Sequence, residues 1–319
     1  MGERRHIALV FPGQGCQFVG MGAELYAQYP EAREVYEAAD DAVGYLLSKL
    51  CFEGPEDELS DTANAQPAIV ATSLALWAAL KPRLNGTNED IVFAAGHSLG
   101  EYSALAAAGG LSAFETIRLV RRRGQAMRQA GIEHPGGMVA IVGLSDEQVR
   151  QVAAEASGED GACWAANYNS PKQVVIAGAW PALERAMALA KACGAKLTTP
   201  LAVSVACHTA YMQGAAETFG AVLCSAPLEH PEVPLVSNVT ATALSEPDEI
   251  RAALLKQLTS PVRWVESVCY LQDQGVTQTI EVGPKAVVSA LVSRISKAIK
   301  TSEVTTPSAI AALTDGASS

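Results

Sequence analysis

The chain has 319 residues, of which 49% are hydrophobic and 18% are charged, a balance typical of a folded globular protein and unlike that of a disordered one. Its formal net charge of −11 argues against a nucleic-acid partner, and the absence of an uninterrupted apolar run of about 18 residues argues against a membrane span. The seven cysteines are odd in number and never spaced C-x-x-C, which predicts small buried hydrophobic residues in a reducing cytoplasm and neither a disulfide framework nor a zinc site.

The first predicted strand covers His6 to Phe11 and runs into a glycine-rich loop at residues 12–15. The loop lacks the spacing of a dinucleotide-binding fingerprint, because Phe18 stands where the third glycine would be. A largely buried helix is predicted for Pro67 to Leu80. Its proline would lie in the first turn, where the missing N–H is tolerated.

Residues Ile91 to Tyr102 read IVFAAGHSLGEY and carry the most informative pattern in the chain. An apolar strand enters a sharp turn and a helix leaves it, with Ser98 at the apex and a glycine two residues to either side. A strained turn of this kind pushes its serine outward and leaves no room for a neighbouring Cβ atom. The pattern predicts a nucleophilic serine. The alternative is a glycine-flanked turn whose serine caps the following helix.

A second helix, predicted over Ala113 to Ala130, carries four arginines within six residues. They are Arg118, Arg121, Arg122 and Arg123. In an acidic protein, such a cluster is suited to meet an anionic substrate or partner, and the alternative is a solvated helix face. The alternation of strands and helices up to this point predicts a mostly parallel sheet covered on both faces.

The pattern changes after Gly137 to the order β-α-β-β-α-β, which is the ferredoxin-like motif. Its elements are predicted at residues 138–142, 146–156, 163–167, 173–177, 181–193 and 196–203. We interpret residues 131–204 as a compact subdomain inserted into a larger α/β domain. Helical character is predicted again for residues 208–219, strands near residues 235–236 and 279–282 complete the main sheet, and the tail from Thr301 to Ser319 is assigned no role.

A serine hydroxyl becomes a strong nucleophile only when a base removes its proton. Among the histidines, His208 lies at the junction that follows the predicted insert, and it comes after the serine in chain order, as the base does in other proteins with this serine turn. Position alone leaves it open whether His208 is the base or has a core or capping role. The other histidines are His6, His97, His134 and His230.

Seven motifs occur in one order along the chain. They are FPGQG at 11–15, GHSLGEYSA at 96–104, RLVRRRG at 118–124, NYNSP at 167–171, VSVACH ending at 208, QLTSPVRW at 257–264 and EVGP at 281–284. Together they resemble malonyl-CoA:acyl carrier protein transacylases and the related acyltransferase domains of polyketide synthases. The resemblance implies an α/β hydrolase-like catalytic domain with a mostly parallel sheet, formed by residues 1–130 and 205–319, and a ferredoxin-like insert at residues 131–204.

The resemblance also implies roles for the matching positions. Ser98 would carry the acyl group as an ester. His208 would be its base, oriented by a group near Gln257, since no aspartate completes a triad in this family. The backbone N–H groups of Gln14 and Leu99 would form the oxyanion hole, where each donor is typically worth on the order of 3 kcal/mol in the barrier.

Three further positions would bind substrate. Arg123 would hold the free carboxylate of malonate, while His97 and Asn167 are expected in the substrate site. Helical periodicity places both Arg121 and Arg123 beside the buried stripe of their helix, at roughly 80° to either side. Geometry therefore leaves the two arginines equivalent, and the motif match selects Arg123.

The expected function is a ping-pong transfer of malonyl from malonyl-CoA, a coenzyme A thioester, to the phosphopantetheine thiol of acyl carrier protein. No bound cofactor is expected. An acidic carrier protein would dock on a basic patch near the cleft, on the insert or on the C-terminal helix. The alternatives are a discrete acyltransferase serving a polyketide synthase that lacks its own loading domain, an acyl-thioester hydrolase, and a catalytically silent binding module.

Overall fold

Two separate β-sheets organise the protein in a computed structural model that describes residues 5–84 and 89–316. The strands are β1 (Arg5–Phe11), β2 (Glu89–Gly96), β3 (Gly136–Val142), β4 (Cys163–Ser170), β5 (Gln173–Ala179), β6 (Leu197–Pro200), β7 (Leu235–Val236), β8 (Ala243–Leu244), β9 (Gln278–Val282) and β10 (Lys300–Val304).

Helices cover both sheets. They are α1 (Ala23–Gln28), α2 (Pro30–Val43), α3 (Leu47–Glu53), α4 (Glu56–Ser60), α5 (Thr62–Leu80), α6 (Gly100–Ala107), α7 (Ala113–Glu133), α8 (Asp146–Ala156), α9 (Trp180–Ala192), α10 (Gln213–Cys224), α11 (Pro247–Gln257), α12 (Trp264–Asp273), α13 (Val288–Ile295) and α14 (Pro307–Gly316). Two short 3₁₀ helices lie at Lys81–Arg83 and Ala210–Met212.

The larger sheet has the strand order β10-β9-β1-β2-β7-β8, and all of its pairings are parallel except that of β8 with β7. The central strand β1 is apolar on both faces because each face is covered. Ile7 and Leu9 face a core formed with helices such as α2, α5 and α7, while Ala8 and Val10 face a second core that includes α12 and α13. The predicted mostly parallel sheet is therefore confirmed.

The smaller sheet is antiparallel, with the order β4-β5-β3-β6, and helices α8 and α9 pack against it around a core of its own. Its elements follow one another as β-α-β-β-α-β, the order expected from the sequence. Helix α7 runs on to Glu133, past the predicted start of the insert at residue 131. The division into 1–130 with 205–319 and 131–204 stays a prediction.

Helix α5 corrects one expectation. It begins at Thr62, where the Asp61 side chain accepts the N–H of Ala63 at 2.9 Å, so Pro67 lies inside the helix and not in its first turn. A proline at this position leaves the carbonyl four residues earlier without its helical donor. That carbonyl belongs to Ala63, and it accepts instead from Nη1 of Arg121 at 2.6 Å. A side chain from α7 thus supplies the missing donor.

The C-terminal segment corrects a second expectation, namely that the tail from Thr301 has no role. Strand β10 lies at the edge of the larger sheet, in parallel register with β9, and Val304 and Ile310 are fully buried. The segment from Thr301 therefore completes the sheet, and residues 317–319 lie outside the described part of the chain. Helices α1 to α4, which the sequence patterns did not predict, cover one face of the sheet.

Within the described ranges, one helical stretch, Thr62–Arg83, is long and apolar enough to cross a membrane by length and composition. Of its most apolar window, 89% is buried inside the protein. Packing against α2 and α7 accounts for this apolar character. Each of the seven cysteines is a free thiol, but the expectation that they are buried is wrong for Cys193, Cys224 and Cys269, which are exposed.

Candidate active site

Ser98 lies on the tight turn between β2 and α6, with a backbone φ of 51°. The flanking glycines are required by close backbone approach. A Cβ on Gly96 would lie 2.0 Å from the backbone of Gly100, and a Cβ on Gly100 would lie 2.2 Å from the carbonyl oxygen of Phe11. No side chain fits at either position, so the turn closes tightly against β1 and holds the serine at its apex.

Asn238 holds this turn from the end of β7, and sequence reasoning missed it. The N–H of Ser98 donates to Oδ1 of Asn238 at 2.6 Å, and Nδ2 of Asn238 donates to the carbonyl of Gly96 at 2.7 Å. The available signal was position, because polar residues just beyond the carboxyl ends of parallel strands are typical of sites in open α/β sheets. Asn238 thereby fixes the strained backbone that carries the serine.

His208 contacts the serine directly. Its Nε2 lies 2.8 Å from Oγ of Ser98, while Nδ1 lies 2.9 Å from the carbonyl oxygen of Gln257 and 3.1 Å from that of Ser260. A carbonyl oxygen can only accept, so Nδ1 must carry the proton and Nε2 must offer its lone pair to the serine hydroxyl. Two backbone carbonyls orient the imidazole, in the position where a triad would have a carboxylate.

Burial and, to a smaller extent, the positive charge of Arg123 lower the pKa of His208 to about 3, against the opposing effect of the hydrogen bond to the Gln257 carbonyl. The imidazole is therefore neutral near pH 7. A neutral imidazole is the form that can accept a proton from the serine.

Arg123 is 1% exposed, and all of its hydrogen-bond partners are neutral. Nη1 donates to Oε1 of Gln66 at 2.8 Å, and Nη2 donates to Oε1 of Gln257 at 3.0 Å and to Oγ of Ser98 at 3.3 Å. Its Nε has no partner, and no carboxylate in the described part of the chain forms an ion pair with the guanidinium. The result is a buried cation beside the nucleophile.

The other arginines of helix α7 point elsewhere. Arg121 donates to the carbonyl of Ala63 and to Asn64, each at 2.6 Å. Arg118 pairs with Glu115, and Arg122 is exposed. The structure thus separates Arg121 from Arg123, a choice that helical periodicity left open.

Gln14 and Leu99 line the cleft together with Ser98. The Gly13 backbone packs so closely on the serine turn that a Cβ there would lie 2.6 Å from the carbonyl oxygen of His97. Among the described residues, neither the Gln14 N–H nor the Leu99 N–H has a protein acceptor, whereas the next amide, that of Gly100, donates to His97. Two free backbone donors therefore border the serine.

The cleft itself has a volume of about 230 Å³ and is lined from both sheets. Nε2 of His97 lies 2.7 Å from Oδ1 of Asn169, so the imidazole of His97 is turned away from the nucleophile and towards the smaller sheet. Asn167 is 4% exposed, and its Oδ1 has no partner in the described part of the chain. Every predicted site residue except Gln257 lines the cleft: Gln14, His97, Ser98, Leu99, Arg123, Asn167 and His208.

Gln257 lies behind the cleft and joins its parts. Its Nε2 donates to the carbonyl of Ser98 at 3.0 Å and to Oε2 of Glu101 at 2.6 Å, while its own carbonyl accepts from His208. Glu101, which sequence reasoning also missed, is a fully enclosed carboxylate on the helix that follows the serine. The glutamate in GHSLGEY was the signal, since a charge within an otherwise apolar helix needs a buried partner.

This geometry defines a protein with an α/β fold that presents a serine to a neutral histidine, beside two free backbone donors and a buried arginine. Residues 8–313 match the family model described as acyl transferase domain. The chain is 44% identical over 304 residues to the malonyl CoA-acyl carrier protein transacylase of Bacillus subtilis (strain 168), covering 95% of each.

Solved structures agree. The malonyl CoA-acyl carrier protein transacylase from Coxiella burnetii is 36% identical with a TM-score of 0.93, covering 98% of each chain. A structure described as a type II polyketide synthase acyl-carrier protein in complex with its malonyl-transacylase gives 40% identity and a TM-score of 0.92, covering 98% of this chain and 99% of that one. The chain therefore belongs to the acyl transferase domain family, and the resemblance to malonyl-CoA:acyl carrier protein transacylases is confirmed.

Proposed function

We propose that this protein transfers a malonyl group from malonyl-CoA to the phosphopantetheine thiol of an acyl carrier protein, through an ester on Ser98. The observation that carries the proposal is the buried Arg123, which touches Oγ of Ser98 and has only neutral partners. A buried charge without a counter-ion is unfavourable, so the site favours an acyl group that brings a carboxylate. A hydrogen bond to such a charged group contributes about 1.5–3 kcal/mol.

In the first half-reaction, Nε2 of His208 takes the hydroxyl proton while Oγ of Ser98 attacks the thioester carbonyl. The carbonyl oxygen becomes an oxyanion, which the N–H groups of Gln14 and Leu99 stabilise. The carbon–sulfur bond then breaks, and the proton held by His208 passes to the leaving coenzyme A sulfur. Ser98 is left as a malonyl ester, and the imidazole is neutral again.

The second half-reaction reverses these roles. His208 takes the proton of the carrier's phosphopantetheine thiol, the sulfur attacks the ester, and the same two N–H groups bind the second oxyanion. Oγ of Ser98 leaves and recovers the proton from His208. The reaction needs no cofactor besides its two substrates, the malonyl thioester of coenzyme A and the phosphopantetheine thiol of the carrier. The free cysteines are consistent with work in a reducing cytoplasm.

Docking of the carrier is proposed at the junction between α13 and the β4–β5 hairpin. Nη1 of Arg294 donates to Oε1 of Gln173 at 2.8 Å, and Lys172 lies at the tip of that hairpin. Val288 and Leu291 of the same helix line the cleft. A basic patch here would attract an acidic carrier at a rate that falls with salt. We expect Arg294→Glu to slow discharge to the carrier at low salt and to leave acylation by malonyl-CoA unchanged; unchanged discharge would contradict this docking surface.

The direct test of the function is a two-step chase. The protein is loaded with malonyl-CoA, freed of unbound thioester, and then mixed with either phosphopantetheinylated carrier or buffer. We expect rapid appearance of malonyl carrier and slow release of malonate into buffer. Equal rates of loss in the two arms would indicate an acyl-thioester hydrolase, and the absence of any acyl adduct would indicate a binding module.

A polyketide pathway is the second candidate, because one solved relative is described in complex with a type II polyketide synthase carrier. The chase distinguishes the two pathways if it is run with carriers of both kinds. A preference for the fatty-acid carrier in the second-order rate of discharge would favour fatty-acid synthesis, and the reverse preference would favour a discrete polyketide acyltransferase.

A further inference from the structure

Glu101 is a buried carboxylate that the proposed chemistry does not use. It lies in the first turn of α6, three residues after the nucleophile, and is 1% exposed. Its Oε2 accepts from Nε2 of Gln257 at 2.6 Å and from the backbone N–H of Asn238 at 3.3 Å. Its direct partners are neutral, so its negative charge has no direct counter-ion.

Gln257 connects this carboxylate to the arginine of the cleft. The amide accepts from Nη2 of Arg123 on one side and donates to Glu101 on the other. Two buried opposite charges are therefore separated by the single amide group of Gln257. The guanidinium attracts the amide oxygen and the carboxylate attracts the amide N–H, so both charges favour the same orientation of the amide dipole. In a medium of low dielectric constant, charges at this spacing interact strongly.

We propose that Glu101 is the buried counter-charge of Arg123 and that its proton occupancy sets how strongly Arg123 attracts the carboxylate of the acyl group. This inference deepens the proposed function and rests on it. When Glu101 is ionised, it partly compensates the guanidinium through Gln257. When Glu101 binds a proton, Arg123 is left uncompensated and its preference for an anionic acyl group rises.

The charged surroundings of Glu101 are simple. Arg123 on α7 is the charged side chain that acts on it, while His208 is neutral because burial lowers its pKa, and Tyr102 on α6 itself is neutral because burial raises its pKa. Helix α5 and strand β7 carry no charged residue, and those of β1 and β2 lie at the beginning of each strand, at the opposite end from the serine turn. Burial raises the pKa of Glu101 to about 7, against the opposing effects of its hydrogen bonds and of Arg123.

These directions fix the sign of the effect. Glu101 is mostly neutral below pH 7 and mostly ionised above it, so selectivity for malonyl over an uncharged acyl group should rise as pH falls. The malonyl carboxylate does not titrate in this range, since an ordinary carboxyl group has a pKa of about 4. The serine and histidine act on both acyl groups, so a ratio of the two rates cancels their own pH dependence.

The test is a competition between malonyl-CoA and acetyl-CoA, with the two acyl-enzymes counted by intact mass from about pH 6 to about pH 8, on either side of the expected titration. Where acetyl adducts are too sparse to count, the rate of inactivation by phenylmethanesulfonyl fluoride replaces them as the uncharged reference. We expect the malonyl preference of the wild-type protein to rise at least about fivefold towards low pH, the lower end of typical coupling between sites.

The substitution Glu101→Gln removes the titratable carboxyl group and keeps the size and shape of the side chain. We expect its malonyl preference to be high and independent of pH, even if both rates fall because Asn238 and Gln257 are held less well. The matched control is Glu281→Gln. Glu281 is an equally buried carboxylate that accepts the N–H groups of Val287, Val288 and Ser289, away from Arg123. This control should keep the wild-type pH response.

Two results would overturn the proposal: a wild-type preference that does not change with pH, or a pH response that survives in Glu101→Gln. The wild-type measurement requires no substitution, so it decides the matter even if the variant does not fold. Failure of the proposed function has a different signature, because no malonyl adduct would then form on the wild-type protein at any pH.

Discussion

The two parts of the cleft lining differ in how their side chains are held. Around the serine turn, Ser98, His208 and Arg123 belong to one hydrogen-bonded network that runs through Gln257. The smaller sheet contributes the apolar side chains of Met138 and Val175, together with Asn169, which contacts His97, and Asn167, whose Oδ1 has no partner among the described residues. Catalytic groups must be held within tight geometric limits, whereas a substrate-shaping wall need only fill space. The contrast assigns chemistry to the first part and the shape of the acyl pocket to the second.

The largest effect should come from removing the general base of this network, His208. We expect His208→Ala to slow acylation by malonyl-CoA about 10²–10⁴-fold, the usual contribution of a positioned general base. Acyl-enzyme formation followed by intact mass measures this rate. His230→Ala serves as the control, since its side chain is 67% exposed and it should acylate at the wild-type rate. A loss of less than tenfold in His208→Ala would show that another group removes the proton.

A smaller but more selective effect should follow from removing the cation. Arg123→Ala should lower malonyl acylation about tenfold to a hundredfold, as expected for the loss of one hydrogen bond to a charged group, and should spare uncharged acyl groups. Arg121→Ala is the matched control on the same helix, because it contacts Ala63 and Asn64 outside the cleft. Unchanged malonyl kinetics in Arg123→Ala would show that the carboxylate is held elsewhere.

A substitution on the smaller sheet should change the shape of the cleft and leave the rate of acyl transfer from malonyl-CoA nearly unchanged. Met138→Ala enlarges the cleft from β3, and we expect acceptance of a branched malonyl group to rise by up to about tenfold, within the range that one methylene group is worth in an apolar pocket. The rate with malonyl-CoA itself should stay close to wild type. The kcat/KM values for the two thioesters measure this. A collapse of both rates would instead give the smaller sheet a direct part in the chemistry.

The smallest expected change is in the acylation rate as the pH falls below neutrality. Because burial holds the pKa of His208 at about 3, well below its usual 6.5, acylation by an uncharged thioester should stay constant as pH falls from neutrality towards about 5. The same shift stabilises the fold above the ordinary histidine pKa, and this stability is lost as pH falls from 6.5 towards 3, where the unfolded chain binds the proton more readily. Acylation rates at several pH values check this, and a loss of rate centred near the ordinary pKa would contradict it.

Local patterns carried the sequence predictions that the structure supports. The turn around Ser98 is set by two glycines and a strand, all within a dozen residues, and the alternation of elements defined both sheets. The sequence predictions that were wrong concern features that depend on contacts between distant parts of the chain. Pro67 is tolerated within α5 only because Arg121 donates to the freed carbonyl of Ala63. Strand β10 is weakly patterned and gains its place by pairing with β9.

The polar network behind the cleft was hidden for the same reason. Asn238 contacts Ser98, and Glu101 contacts Gln257, each across more than a hundred positions of sequence. The periodicity of a sequence does not indicate contacts of this kind. The motif resemblance pointed to Gln257, but it did not reveal that the backbone carbonyl orients His208 while the side chain joins Arg123 to Glu101. Buried polar networks of this kind are specified by mutual satisfaction of donors and acceptors, which only three-dimensional geometry displays.

The central claim is that the Ser98 hydroxyl carries the acyl group, and intact mass after brief mixing with malonyl-CoA tests it most directly. The wild-type protein should gain the mass of one malonyl group, with the modified peptide containing Ser98, and Ser98→Ala should gain none. An adduct of the same size on Ser98→Ala, or on a peptide without Ser98, would contradict the account.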